Sequence, residues 1–598
     1  MATAAVPKTK IAGGSFLIED RRPKDVFTPE DFTDEHRQIA QTTEEFALKE
    51  IVPNIDKIEH KDFSVTRELI KKASELGLTS VDIPEEFGGM EMDKVSSAII
   101  ADYIAKSGSF SVTWGAHVGI GTLPIVYFGT PAQKQKYLPK LASGEWVGAY
   151  ALSESSSGSD ALNCRTRADL SSDGKHYVLN GEKMWITNAS FADLYVVFAK
   201  IGGEKFSAFI VERSFPGFSV GSEEKKLGIR GSSTCPLILN DCKVPVENLL
   251  GEIGKGHIIA FNILNIGRFK LGAGCVGGAR TSLHSALSYA KQRKAFGKTL
   301  VDFGLIREKL ADIATGIYVG ESLAYRTVGM IDEALRDIDK QSPDASTQIR
   351  KGIEEYAVEC SILKVWGSEM LDKVVDHVVQ IYGGYGFVEE YPAERAYRDS
   401  RVNRIFEGTN EINRMIITGW LMKRAISGQL ALMPAIKKLM DEVLSGSSAL
   451  EDSEGPLANE VALLANAKKT ALFSAGVASQ RYMTDLAEQQ EVMAALADII
   501  IEVFAMDSAV LRTLKLENSR GEASSALPIA MTQVYLSEAM ARVEVAARRV
   551  LAAAAEGDNL RIQTAILRRL VKHDPVNVIA LRQQIATRTI DAGKYVIS

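Results

Sequence analysis

Among the residues of this chain, Glu407 has the surroundings that most suggest chemistry. In the run RIFEGTNEINR, Arg404 to Arg414, it follows Ile405 and Phe406 and precedes Gly408. A carboxylate held against apolar groups is desolvated, which raises its pKa toward working pH and makes it a stronger general base. A glutamate at a helix start, with Thr409 or Asn410 as the N-cap, explains the same residues. Residue chemistry alone leaves both readings open.

Four other segments carry groups suited to a ligand. YALSESSSGSD, Tyr150 to Asp160, is rich in hydroxyls that could hydrogen-bond a ring system or a phosphate, or it is a Ser-rich surface loop. In WITN, Trp185 could fill a small barrel's core or cover a planar ligand. RKAFG places Arg293 where a guanidinium complements a helix C-terminus or binds a pyrophosphate. QIYGGYGF carries consecutive glycines, which allow close backbone approach to a ligand or simply end a helix.

Gly272, Gly274 and Gly277 spell G-x-G-x-x-G. A dinucleotide fold needs a strand before that motif and an acidic residue about 20 positions later. Here FNILNIGRFKL reads as helix, and no acidic residue occurs between Gly278 and Asp302. Close helix packing is the better explanation of these glycines.

The elements that must position these residues follow from hydrophobic periodicity. Residues 28–141 read as helical, with Pro53 where a helix could end and breaks at Asp82–Gly89 and Gly129–Pro131. From Tyr150 the texture is of short strands: Asn180-Gly181 reads as a hairpin turn, and LYVVFA, SAFIV and PLIL follow. From Gly256 the chain is helical again. Leu363, Trp366, Met370, Val374, Val378 and Ile381 form one apolar face, ended by Gly383 and Gly384. A Ser/Gly-rich linker, Ser445 to Pro456, precedes a last helical region.

With 598 residues, the chain is too long for one core. A net charge of −6 gives no basic footprint for nucleic acid. The five cysteines form no C-x-x-C pair, so neither a zinc site nor any other metal is expected, and a reducing compartment is the simpler setting. The N-terminal residues lack a signal-like apolar core, and no apolar run reaches membrane-spanning length. The expected location is the cytoplasm.

Taken in order, YALSESSSGSD, GEKMWITN, RKAFG, QIYGGYGF and FEGTNEI resemble the acyl-CoA dehydrogenase family over residues 28–430. The C-terminal extension and ILNIGRFKLGAG, Ile263 to Gly274, are similar to its very-long-chain branch. The resemblance implies an α+β, mainly α fold. It would have a helical N-terminal domain (28–150), a middle β-barrel domain (151–255), a four-helix bundle (256–430) and an additional helical domain (431–598). It implies FAD as cofactor, an acyl-CoA substrate and a homodimer. It implies the α,β-dehydrogenation of fatty acid β-oxidation, from a saturated, long-chain acyl-CoA to the trans-2-enoyl-CoA.

By the same resemblance Glu407 is the catalytic base. Tyr150, Leu152, Ser153 and Ser159 would contact the flavin or its ribityl chain, beside Trp185 and Thr187. Arg293, Phe296, Gln380, Gly383 and Gly384 would bind its diphosphate and adenine end across the dimer interface. Thr409 and Glu411 would complete the cofactor site; Ser159, Arg268 and Gly408 would lie near the substrate. Gly304 and Glu411 depart from residues common in relatives, where glutamine stands. Some relatives carry the base beside the Arg268 position; here that residue is Gly267, which cannot serve.

An electron-transfer flavoprotein is the expected electron acceptor. An oxidase using O2 and a non-catalytic assembly scaffold are the other readings of the same fold. In PAIKKLMDEVL, Pro434 to Leu444, Ile436, Leu439, Met440, Val443 and Leu444 share one face. Its balanced charges make any peripheral membrane contact weak, and packing against the partner bundle is the favoured role. Gly119 and Gly121 are expected to leave room for a long acyl tail.

Overall fold

The computed structural model describes residues 11–340, 342, 344–445 and 455–597. Short polar side chains open the N-terminal helices. Thr33, Asp62 and Asp93 cap Asp34–Phe46, Phe63–Glu75 and Lys94–Tyr103, while Thr130 and Gln133 form a capping box on Pro131–Ala142. Each accepts from backbone N–H groups that have no partner inside the helix. Pro53 does not end a helix. It sits in a 3-10 turn, Val52–Asn54, that leads directly into Ile55–Glu59, because proline at a first-turn position gives up only an N–H that needs no partner there.

The middle region is one mixed sheet of eight strands. These are β1 (Gly148–Ala151), β2 (Arg167–Leu170), β3 (His176–Thr187), β4 (Leu194–Ile201), β5 (Lys205–Glu212), β6 (Phe218–Val220), β7 (Thr234–Pro245) and β8 (Leu249–Leu250). The order is β6-β7-β3-β2-β4-β5-β8, with β1 parallel to β4. The sheet curls so that β1 lies near β3 and β5 near β7, enclosing β4, whose residues Leu194 to Ala199 are all fully buried.

Asn180-Gly181 is not a hairpin turn. It lies inside the continuous strand β3, where the register against β7 shifts between Leu179 and Gly181. The glycine is required there because a Cβ would stand 2.6 Å from Thr166 Oγ1. Asn180 meanwhile donates to Asp241 Oδ1 across the bulge. A bulge and a turn both favour this dipeptide, so local sequence does not distinguish them.

The helical half is built on Gly256–Gln292, which packs against Ala357–Tyr382, Gly304–Leu335 and Lys94–Tyr103. The G-x-G-x-x-G glycines lie within this helix. A Cβ on Gly272 would meet Leu363 Cγ at 2.3 Å, and one on Gly277 would meet Asp102 O at 1.8 Å. Gly272 and Gly277 are packing glycines; a Cβ on Gly274 would meet only Ala101 O, at an ordinary 3.6 Å. The predicted apolar face of Ala357–Tyr382 is present, and Gly383, at φ +62°, ends it.

The extension comprises Leu432–Ser445, Ala458–Tyr482, Gln490–Arg520, Ala526–Ala554, Gly557–Leu570 and Val578–Ala592. Most of the segment from Ser445 to Pro456 lies outside the described residues, as does the Leu444 side chain. Ile436, Leu439 and Val443 are buried, and Ile436 and Met440 pack beside Gly476 of Ala458–Tyr482 in the same chain. The buried part of this face is thus covered within the chain itself. Desolvated ion pairs hold the extension to the rest: Arg512 with Glu30 (2.8 Å) and Glu321 (3.0 Å), Arg326 with Asp507 (2.7 Å). Among the described residues no helix is long and apolar enough to cross a membrane, and no cluster of metal-ligating side chains occurs.

Candidate active site

Glu407 and Gly408 both adopt left-handed backbone, at φ +57° and +79°. For a non-glycine residue this costs about 1–2 kcal/mol and persists only where surrounding contacts enforce it. Those contacts are polar. Arg268 Nε donates to Glu407 O at 3.2 Å, Lys364 Nζ to Gly408 O at 2.8 Å, and Asn413 Nδ2 to Gly408 O at 2.9 Å. Thr409 then caps Asn410–Ile426 by accepting from Ile412 N–H. The capping and the general-base readings therefore describe neighbouring residues and do not compete.

The Glu407 carboxylate lies against the Cα of Gly267. Its Oε2 is sealed from solvent and has no hydrogen-bond partner. Desolvation pushes its pKa up to about 7, against the opposing pull of the cations Arg268 and Lys364. Tyr150 Oη is likewise sealed and unpartnered, and its pKa is raised by burial and by the Glu407 charge. The Glu407 N–H donates to no protein acceptor among the described residues.

Glu407, Gly267 and Thr187 line one end of a cavity of about 280 Å3. It follows one face of Gly256–Gln292 through Gly274, Gly278 and Ser282 to Ser285. Eighteen residues of helix separate Gly267 from Ser285, about 27 Å. Leu371, Val375 and Val378 form the facing wall. Gly119 lines the cavity with open space at its Cα, as expected. Gly121 does not: a Cβ there would stand 2.7 Å from the Gly148 backbone, so this glycine serves packing.

The anticipated site residues fall into two groups. Glu407, Gly408, Thr409, Arg268, Tyr150 and Thr187 gather around the inner end of the cavity. Leu152 and Ser153 run beside β3, Leu152 O accepting from Lys183 Nζ and Ser153 O from Met184 N–H, next to Trp185. Trp185 does not fill the core. It is 57% exposed at φ +58°. Ser159 and Glu411 are exposed, and hydrogen bonds to its own N–H and to Thr409 lower the Glu411 pKa.

The second group lies at the other end of the bundle. The Arg293 guanidinium sits over the Tyr385 ring at 5.5 Å, joining RKAFG to QIYGGYGF. Phe296 is 94% exposed, and Gln380, Gly383 and Gly384 are exposed as well, with open space at both glycines. Gly267 and Gln292 are separated by about 38 Å of helix. Gly304 opens the next helix, its Cα facing open space.

Sequence reasoning missed Lys364 and Asn413. Lys364 is fully buried, and burial pushes its pKa down to about 8 against the attraction of Glu407. Its signal was a lysine set inside the apolar run Ile362, Leu363, Val365 and Trp366. Asn413 donates to three successive carbonyls, Glu407 to Thr409, and a polar residue in the first turn of a helix does not announce that.

Four family models match in chain order: the acyl-CoA dehydrogenase N-terminal domain over residues 33–145, the middle domain over 149–242, the C-terminal domain over 254–422, and a further C-terminal domain over 466–569. A probable acyl-CoA dehydrogenase of Bacillus subtilis is 50% identical over 585 residues, covering 98% of each chain. The human mitochondrial very long-chain specific acyl-CoA dehydrogenase is 42% identical over 353 residues, 57% of this chain and 51% of its own. The crystal structure of an acyl-CoA dehydrogenase complexed with FAD from Bacillus anthracis matches at TM-score 0.97 and 49% identity, covering 98% of this chain and 100% of that one. With sequence and backbone shared from end to end with such proteins, and a desolvated glutamate at the inner end of an apolar cavity, the chain belongs to the acyl-CoA dehydrogenase family.

Proposed function

We propose that the chain is an FAD-dependent dehydrogenase of long-chain acyl-CoA thioesters, with Glu407 as the base. The observation that carries this reading is the Glu407 carboxylate, with Oε2 sealed from solvent and unpartnered and its pKa near 7, at the inner end of a cavity about 27 Å long. An apolar slot of that length, walled by glycines on one side and Leu371, Val375 and Val378 on the other, suits an extended acyl tail.

The matched residues fit the cofactor. Tyr150 Oη and Glu407 Oε2 are orphaned polar atoms facing one region, Trp185 offers an exposed ring beside it, and Gly383 and Gly384 leave room for close backbone approach. When bound, FAD supplies the acceptor for the substrate's β-hydrogen, which leaves as hydride. Glu407 removes the α-proton. The free Glu407 N–H is available to the thioester oxygen as it gains enolate charge. Arg268, Lys364 and Asn413 hold the backbone that aims the base.

The two residue groups are too far apart in one chain for a single cofactor to bridge them along the helix. A homodimer, in which one subunit's Tyr150–Glu407 group faces its partner's Arg293–Gly384 group, joins them. We read the chain as units 28–150, 151–255, 256–430 and 431–598, with an electron-transfer flavoprotein as acceptor. The apolar face of Leu432–Ser445 is occupied by packing, which leaves little of it for a peripheral membrane contact.

The test is anaerobic bleaching of the flavin by acyl-CoA thioesters of graded length, straight and branched. Long chains are expected to bleach it rapidly in the native protein and not in Glu407→Gln. Rapid bleaching in that variant would remove Glu407 from the mechanism. Reoxidation by O2 as fast as by electron-transfer flavoprotein would favour an oxidase.

A further inference from the structure

The C-terminal extension reaches the catalytic turn through an unbroken chain of charged and polar side chains. It starts at Asp498, on Gln490–Arg520, which accepts from Arg414 Nε at 2.7 Å. The two terminal nitrogens of Arg414 grip both oxygens of Glu369, at 2.8 and 3.0 Å. Glu369 Oε1 also accepts from Asn410 Nδ2 at 2.9 Å, and Asn410 Oδ1 accepts from Lys364 Nζ at 2.7 Å. Lys364 Nζ donates in turn to Gly408 O, the carbonyl next to the base.

We propose that Asp498 is a positioning residue for the base: the extension holds Glu407 in its left-handed turn through Arg414, Glu369, Asn410 and Lys364. Each link constrains the next. A guanidinium fork gripping a carboxylate admits one orientation of both groups. With Glu369 so fixed, the Asn410 amide has one favourable flip, the one that presents Oδ1 to Lys364. Lys364 and Asn410 are buried and Asn410 is hydrogen-bonded at both ends, so neither has water as an alternative partner.

The strained end of the chain is where a loosened clamp would show. A left-handed glutamate relaxes to ordinary backbone once its neighbours permit, which swings the carboxylate away from its place beside Gly267. The back of Asn410–Ile426 is also covered by the extension, where Met415 and Met422 pack on a cluster containing Leu496 and Val550. That apolar contact keeps the helix docked but does not specify the turn. The polar chain supplies that specification.

The inference rests on Glu407 being the base, and the experiment separates the two. Flavin reduction by a long-chain acyl-CoA is measured by stopped flow in the FAD-loaded full chain for Asp498→Leu, Asp498→Asn and Lys364→Met, with Glu407→Gln alongside. Asp498→Leu is expected to slow reduction at saturating substrate by about tenfold to a hundredfold, the scale of a misplaced catalytic group, with the substrate's apparent Kd shifting far less. Asp498→Asn keeps an acceptor for Arg414 Nε and should recover most of the rate. Asp498→Leu and Lys364→Met combined should slow it less than the product of the single effects, because both cut one chain.

Val503→Ala, a buried cavity on the same extension helix away from this chain, controls for general loosening. If it slows reduction as much as Asp498→Leu at matched thermal stability, the inference is overturned. Multiplicative effects of Asp498→Leu and Lys364→Met overturn it as well. So does an inactive Glu407→Gln beside a fully active Asp498→Leu, which leaves the base assignment standing, whereas an active Glu407→Gln removes the base assignment and the inference with it.

Discussion

The carboxylate of Glu407 and the bare Cα of Gly267 occupy adjoining space: a Cβ on Gly267 would stand 2.6–2.8 Å from both oxygens and the Cδ of Glu407. The glycine lies mid-helix, at φ values any residue adopts, so its requirement is steric and comes from a residue 140 positions later in the chain.

Gly267→Ala follows directly. Helix propensity favours alanine over glycine by roughly 1 kcal/mol, so the fold should tolerate it. The methyl group displaces the carboxylate, and flavin reduction is expected to fall by about a hundredfold. Stopped-flow bleaching together with a melting curve checks both halves, and an active, stable variant would refute the steric argument.

The pH dependence has a definite sign. Proton abstraction needs ionised Glu407, so reduction by substrate should rise with pH through about 7 and level off above it. Burial raises the folded-state pKa above its ordinary value of 4.5, so the protonated group favours the fold and that contribution is lost as pH rises from about 4.5 to 7. A reduction rate that is flat from pH 5.5 to 8.5 would contradict the desolvated-base picture.

Gly119→Leu tests the cavity. Open space surrounds the Gly119 Cα, so a Cβ fits, and the remaining side chain projects into the slot. KM should rise about tenfold or more for long-chain substrates, a loss of about 1.4 kcal/mol, and change little for short ones. Equal effects on all lengths would mean the tail runs elsewhere.

Subunit complementation tests the shared site. Glu407→Gln disables one group and Arg293→Ala the other. A heterodimer of the two variants should contain one site with both groups intact. Random mixing should therefore restore about a quarter of native activity, because half the dimers are mixed and each has one of two sites. No recovery in a verified heterodimer would place both groups in one subunit's site.

Much of this molecule was legible in its sequence because the signals are local. The apolar face of Ala357–Tyr382, the Thr409 cap and Phe406 beside Glu407 act within a few residues of themselves. Gly272 and Gly277 of the G-x-G-x-x-G run could also be read as packing residues, since a helix with no following acidic partner leaves little else, whereas Gly274 faces the cavity. The four-part order of helices, sheet, bundle and extension followed from where the periodicity changes.

Other features depend on which distant segments meet. Asn180-Gly181 became a bulge because β7 and Thr166 lie beside it, although the dipeptide favours a turn equally well. Gly119 and Gly121 are two residues apart; one faces a cavity and the other touches Gly148. Lys364, Asn410, Glu369, Arg414 and Asp498 are unremarkable one by one and become a chain only when three helices dock. For Glu407 the sequence supplied the residue type and its apolar flanks. Only the tertiary fold brought Gly267 against its carboxylate and cations against its backbone, because solvent exclusion and charge act through space and not along the chain.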